Sequence, residues 1–157
     1  MHAAHAGRYL LDLIDHLLAE LQINDWDYLW HSMLNWEQVQ TMHREGITFG
    51  SHTVTHPILS RISLAEAREE IVRSKTTIEG HLDCAVDLFA YPAGTARDYT
   101  EEIKKLLWNL GFKAAVTTVF GSNTATTDRL ELRRNWMLVN PSITEFAAKI
   151  LWYKFAS

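Results

Sequence analysis

Two histidines four residues apart, His52 and His56, stand in the segment Gly50-Ser51-His52-Thr53-Val54-Thr55-His56-Pro57. Neutral imidazoles are the commonest protein ligands for zinc and related ions. Four residues is also the offset at which two ligands share one face of a helix. A helix is disfavoured here, because Pro57 pushes His56 towards extended backbone and Thr53-Val54-Thr55 is a β-branched run. The segment reads as a strand end turning into a loop, with both rings able to converge on one point. The spacing alone fits equally a pair of histidines that only hydrogen-bond locally, since a catalytic zinc site takes about three protein ligands.

A second segment, Leu88-Phe89-Ala90-Tyr91-Pro92-Ala93-Gly94, carries a different kind of chemistry. A strand ending in Tyr-Pro-Ala-Gly leaves the Ala93 N–H in an irregular turn, free to donate to a substrate oxygen as oxyanion sites do. An ordinary strand-to-helix turn containing Pro and Gly has the same sequence. In parallel α/β folds, sites form at the C-terminal ends of strands, which is where both segments fall.

The elements that must position them are marked by caps. Asn35 with Gln38, Ser63 with Glu66, Asp98 with Glu101 and Ser142 with Glu145 each place a capping residue three positions before its partner. Gly46 and Gly111 stop the first and third of these helices. The amphipathic stretch Tyr9 to Leu21 predicts a further helix. Strands are expected at Ile47–Ser51, Val86–Tyr91 and Phe112–Val119, with a weaker one through Leu130, Leu132, Trp136 and Leu138. Strands alternating with helices mean βαβ units and a mainly parallel sheet flanked by helices. The polar run Gly121–Asp128 is expected to be the most mobile loop.

Composition narrows the class. The chain has 157 residues, 47% hydrophobic and 22% charged, with six Trp. That suits one globular domain and excludes a disordered tail. The single Cys84 permits no internal disulfide and no zinc-finger spacing. Fifteen Lys and Arg against nineteen Asp and Glu leave a net charge of −4, which recommends no nucleic-acid partner. The start Met1-His2-Ala3-Ala4-His5 has no Lys or Arg, and Asp12, Asp15, His16 and Glu20 interrupt the Leu-rich stretch behind it. No signal peptide or membrane span is expected, and the location is cytoplasmic.

Together, the two segments resemble the metal-binding second motif and the third motif of the polysaccharide deacetylases, the NodB-homology group. Leu34-Asn35-Trp36-Glu37-Gln38-Val39 and Gly46-Ile47-Thr48-Phe49 are similar to the helix and strand leading into the His motif. Leu132-Arg133-Arg134 resembles the family's late Leu-Arg-Arg segment. The resemblance implies an incomplete (β/α) barrel and hydrolysis of N-acetyl groups on an acetylated oligo- or polysaccharide. It implies a divalent metal, zinc by family habit, on His52 and His56, which match the family's two His positions. Ala93 N–H would hold the oxyanion, and Tyr91, Pro92 and Trp136 would line the sugar groove. The whole of 1–157 is expected to be one deacetylase-like domain. It divides into a divergent helical region at 1–33, a family-like core at 34–139 and a C-terminal helix at 140–157.

The chain departs from the family in two places. No adjacent Asp pair occurs, so the third ligand and the general base have no match, Asp25-Trp26-Asp27 being the closest acidic pair. No His follows His81, so the general acid has none either. A barrel takes about 250 residues; the shortage is therefore expected before the His motif and after the last strand. An inactive remnant serving as a carbohydrate-binding or interaction module is the alternative. An exposed sheet edge left by the missing units predicts a homo-oligomer, most simply a dimer.

Overall fold

The computed structural model describes residues 33–135 and 142–155, together with His16 and Glu20. The chain forms two compact units, Met1–Thr41 and Met42–Ser157. Of the helix expected over Tyr9 to Leu21, only His16 and Glu20 are described; both are helical and lie 3.6 Å apart. Asp25-Trp26-Asp27 and Trp136 lie outside the described residues.

The caps fold as their spacing predicts, with one exception. Helix α1 (Trp36–Arg44) starts at Asn35, whose side chain and backbone exchange two 2.9 Å bonds with Gln38. Helix α2 (Leu64–Leu82) opens with a full capping box: Ser63 Oγ accepts from the Glu66 N–H, and Glu66 accepts from the Ser63 N–H. It closes at Asp83, in the left-handed region at φ 49°. Helix α3 (Glu101–Asn109) is the exception, because its cap is Thr100 and not Asp98. The Asp98 carboxylate is already used, accepting from the Thr95 N–H at 2.8 Å to close the preceding turn. Helix α4 (Ile143–Phe155) starts at Ser142, paired with Glu145. Among the described residues no helix is long and apolar enough to cross a membrane.

Three strands form a parallel sheet in chain order: β1 (Leu88–Ala90), β2 (Ala114–Phe120) and β3 (Leu132–Arg134). Leu88 pairs with Ala114 and Val116 with Leu132. The strand expected at Ile47–Ser51 shrinks to one parallel bridge, Ser51 opposite Phe89. Ser51 donates to Leu88 and accepts from Ala90, both at 2.9 Å. A continuing ladder would next place the Thr53 N–H on the Ala90 carbonyl. Instead the His52 ring takes that carbonyl, and Thr53 turns to φ 65°, which no strand allows.

The alternation of the sheet sends its two faces to different fates. Ser51, Phe89, Tyr91, Ala115 and Thr117 are buried. Phe89, Tyr91 and Ala115 form one core cluster with Leu59, Ala67 and Ile71 and with Ile103, Leu107 and Phe112. The opposite face, with His52, Leu88, Ala90, Ala114, Val116 and Leu132, borders an open cavity of about 400 Å³. The run Gly121–Asp128 is more tethered than its composition suggests. Asn123 exchanges two bonds with the Arg133 backbone, at 2.9 and 3.0 Å, and Ser122 donates to the Tyr153 carbonyl.

Lys104 ties α3 to the turn before β3. Its ammonium lies 3.1 Å from Glu101, 2.7 Å from Asp128 and 3.3 Å from Glu131, and its side chain is only 12% exposed. Burial pulls the ammonium down, but the three carboxylates outweigh it and hold the group above its usual range. Its hydrogen bond holds the Asp128 carboxyl below the usual range. Asp128 therefore contributes stability above its unfolded pKa of about 3.9, and that contribution fades as pH falls through the lower folded value. Lys104→Met should destabilise the chain at about pH 7 by roughly 1–3 kcal/mol. The gap from the parent should narrow below about pH 4, where the carboxylates are neutral without it. Urea unfolding across that range measures both.

Candidate functional site

His52 sits one residue beyond the Ser51 bridge, at the C-terminal edge of the sheet. Its Nδ1 is 2.7 Å from the Ala90 carbonyl oxygen. A carbonyl only accepts, so Nδ1 carries the proton and Nε2 of the neutral ring keeps its lone pair. This is the arrangement by which proteins orient a metal-ligating imidazole. The His56 ring stands beside it, centroids 4.8 Å apart and planes at 78°. Both residues are exposed.

The loop between them is built from unusual backbone. Among the described residues, four non-glycine residues have positive φ: Thr53 (65°), His56 (59°), Asp83 and Ala93 (56°). Three of these belong to the two segments singled out above. Pro57 was expected to make His56 extended; it keeps it out of the right-handed helical region, and His56 takes the left-handed side instead. Histidine tolerates that side better than most residues, whereas β-branched Thr53 does not. Such strain persists only where neighbours over-determine it. Thr53 Oγ1 accepts from the His56 N–H at 3.2 Å, and Glu70 of α2 binds the residues between. Ser51 Oγ donates to Ser74 Oγ of α2 at 3.0 Å, and both hydroxyls are buried. Gly50 is required by close approach, since a Cβ there would lie 2.9 Å from the Leu88 carbonyl oxygen.

The second segment meets the first. Beside the His52–Ala90 bond, the chain just after each segment is also joined: Ser60 donates its N–H to the Asp98 carbonyl and its hydroxyl to the Arg97 carbonyl. Ala93 is exposed, and its N–H has no acceptor among the described residues. Thr118 fixes that turn: its hydroxyl donates to the Ala93 carbonyl at 2.7 Å and its N–H to the Gly94 carbonyl at 2.8 Å. Gly94, at φ 75°, lies against Thr118 and Tyr91 so closely that a Cβ would meet both backbones at 3.0 Å.

Tyr91 and Pro92, expected to line a sugar groove, are in the core instead. Tyr91 is 1% exposed, stacks on Tyr99 with centroids 4.1 Å apart, and donates its hydroxyl to the Leu130 carbonyl. Burial, with nearby Tyr99 and Glu131, holds its phenol above the usual range. Pro92 is fully buried. The alternation of β1 explains the placement of Tyr91, which shares the inward phase of Phe89. Tyr91→Phe should cost about 1–2 kcal/mol by orphaning the Leu130 carbonyl. Urea unfolding reads that loss, and zinc binding should not change with it.

Comparison with known proteins now decides the family. A sequence profile described as Polysaccharide deacetylase matches residues 11–115, more than half of the chain. The chain belongs to the polysaccharide deacetylase family. The Bacillus subtilis (strain 168) protein YxkH, whose name places it among the polysaccharide deacetylases, is 29% identical over 86 residues. That match covers 55% of this chain and 30% of YxkH. The Streptococcus pyogenes deacetylase PplD, solved in complex with acetate, is 29% identical with a TM-score of 0.68. It matches over 74% of this chain and 50% of its own. BC0361, a polysaccharide deacetylase from Bacillus cereus, is 25% identical with a TM-score of 0.64, over 74% of this chain and 36% of its own. The chain thus spans 30% to 50% of these relatives, and its parallel sheet with flanking helices is a partial match to the polysaccharide deacetylase barrel.

Polysaccharide deacetylases typically depend on a metal, and the fit can be judged from the donors. A zinc–nitrogen bond of about 2.0–2.1 Å plus about 1 Å to the ring centre lets two imidazoles share an ion up to roughly 6 Å between centroids. The observed 4.8 Å lies within that. The separation of His52 and His56 is therefore compatible with two ligands on one ion. Among the described residues no His, Cys, Asp or Glu completes a group of three.

Proposed function

We infer that this polysaccharide deacetylase-family chain acts on acetylated oligo- or polysaccharides, holding a divalent ion, zinc by its donor chemistry, on His52 and His56. The observation that carries the reading is the His52 tautomer, locked by the Ala90 carbonyl with Nε2 free beside His56. A bound ion would lower the pKa of water and polarise the amide carbonyl. Around it, His52 and His56 supply neutral nitrogen, and the turn held by Thr118 presents the Ala93 N–H to the oxygen that gains charge. Net hydrolysis adds water across the amide: the C–N bond breaks, the acyl carbon leaves as acetate, and the sugar amine takes the proton. An acidic third ligand and a proton acceptor come, on this reading, from outside the described residues.

A second reading, an inactive sugar-binding or interaction module, is favoured by the missing Asp pair and the lack of His after His81. Incubation of the full chain with zinc or cobalt and acetylated chito-oligosaccharides separates the two. Metal-dependent acetate release supports hydrolysis. Stoichiometric zinc binding without release supports the module, and neither binding nor release removes the metal site.

A further inference from the structure

Glu70 lies in the second turn of α2, the helix in which Glu66 completes the N-terminal cap and Glu79 holds the Val86 N–H and Lys75. Its carboxylate reaches back to the loop between the two histidines. Oε2 accepts from the Val54 N–H and the Thr55 N–H, each at 2.8 Å, and Oε1 accepts from the Thr55 hydroxyl at 2.9 Å. Three donors from two consecutive residues on one carboxylate form a closed, charge-assisted clamp. Burial opposes the charge, but these three bonds and the Arg73 guanidinium outweigh it and hold the carboxyl below its usual range.

Val54 and Thr55 are the residues flanked by the two strained positions, Thr53 and His56. A loop with left-handed residues at both ends has no regular ladder to satisfy its own N–H groups. The Glu70 carboxylate satisfies two of them from a rigid helix. It does so in the helix that also anchors Ser51 through Ser74. The strand end before His52 and the loop before His56 are therefore fixed to the same rigid element. We propose that Glu70 is the positioning residue of the His52–His56 pair, holding the loop so that the two imidazoles face one point. The proposal rests on the metal-binding reading above for its consequence, but not for its geometry. Glu70 does not ligate; it acts through Val54 and Thr55.

The test combines two readouts on the full chain. The first is amide hydrogen exchange at Val54 and Thr55, which needs no metal. The second is zinc affinity by calorimetry, measured where each variant is folded. Glu70→Ala should speed exchange at both amides at least about tenfold and weaken zinc binding by about 10- to 100-fold, as loss of an outer-shell partner does. Glu70→Gln keeps one acceptor oxygen and should lie between the parent and Glu70→Ala on both readouts. Thr55→Val removes only the hydroxyl contact from the loop side and should weaken zinc binding severalfold. It tests the clamp should Glu70→Ala not fold. Unchanged exchange at Val54 and Thr55, or zinc affinity within twofold of the parent in Glu70→Ala, overturns the proposal. If the parent binds no zinc, the metal reading fails, and the exchange rates alone decide whether Glu70 holds the loop.

Discussion

Replacing His52 with alanine is expected to weaken zinc binding by at least about a hundredfold, beyond the 10- to 100-fold usual for an outer-shell partner. His52 is one of two imidazoles that stand side by side, and its tautomer is set by the contact of Nδ1 with the Ala90 carbonyl at 2.7 Å. Its loss leaves His56 as a lone imidazole with no described partner ligand. The fold should hardly notice. His52 is exposed, and the Ala90 carbonyl it releases borders an open cavity where water reaches it. A stability change of about 1 kcal/mol or less is expected. Calorimetric zinc titration beside thermal unfolding checks both halves, and His81→Ala, at the end of α2, serves as the control with unchanged affinity.

The second large effect is on stability. Phe89→Ala should destabilise the chain by about 3–5 kcal/mol, a sizeable part of the roughly 5–15 kcal/mol that holds a domain of this kind. Phe89 is 2% exposed at the centre of β1. Its ring meets Tyr91 edge-on at 5.3 Å and Phe112 at 5.5 Å, and its backbone stands opposite Ser51. Removing it opens a cavity under the strand that carries the Ala90 carbonyl, so the site should loosen with the core. Trp108→Ala provides the contrast. Trp108 is 66% exposed on α3, and its removal should shift stability by about 0.5 kcal/mol or less. Urea unfolding of the two variants side by side measures the difference.

Local signals in the chain were most legible where one residue type does one job. The Ser63–Glu66, Asn35–Gln38 and Ser142–Glu145 pairs are reciprocal bonds three residues apart, so spacing alone locates them. Asp98 misled because the Thr95 N–H takes its carboxylate, and Thr100 caps the helix two residues later. That His52 and His56 stand side by side and that Ala93 lies in an irregular turn followed from the strand ends, whereas the left-handed backbone of His56 did not follow from Pro57. Tyr91 was not legible, because its direction depends on the phase of β1, and one residue of register decides between groove and core. Glu70 carried no signal at all. A glutamate in a helix with Glu66 and Glu69 beside it looks like any solvated carboxylate, and only the fold shows the loop it reaches.

The strained backbone links these observations. Thr53, His56 and Ala93 take positive φ: Thr53 and His56 are tied to each other through Thr53 Oγ1, and Ala93 is held by the Thr118 hydroxyl from β2. Their shared position, at the C-terminal edge of the sheet, is where parallel α/β folds place chemistry. Fold and family alone do not assign function; these residues are what a metal and an acyl oxygen would meet.

The central claim is that His52 and His56 share one ion. Anomalous scattering from crystals of the full chain grown with zinc tests it most directly. One peak within bonding distance of His52 Nε2 and the His56 ring, with Nδ1 of His52 still on the Ala90 carbonyl, is the predicted result. A map with no peak between the two rings at saturating zinc contradicts it.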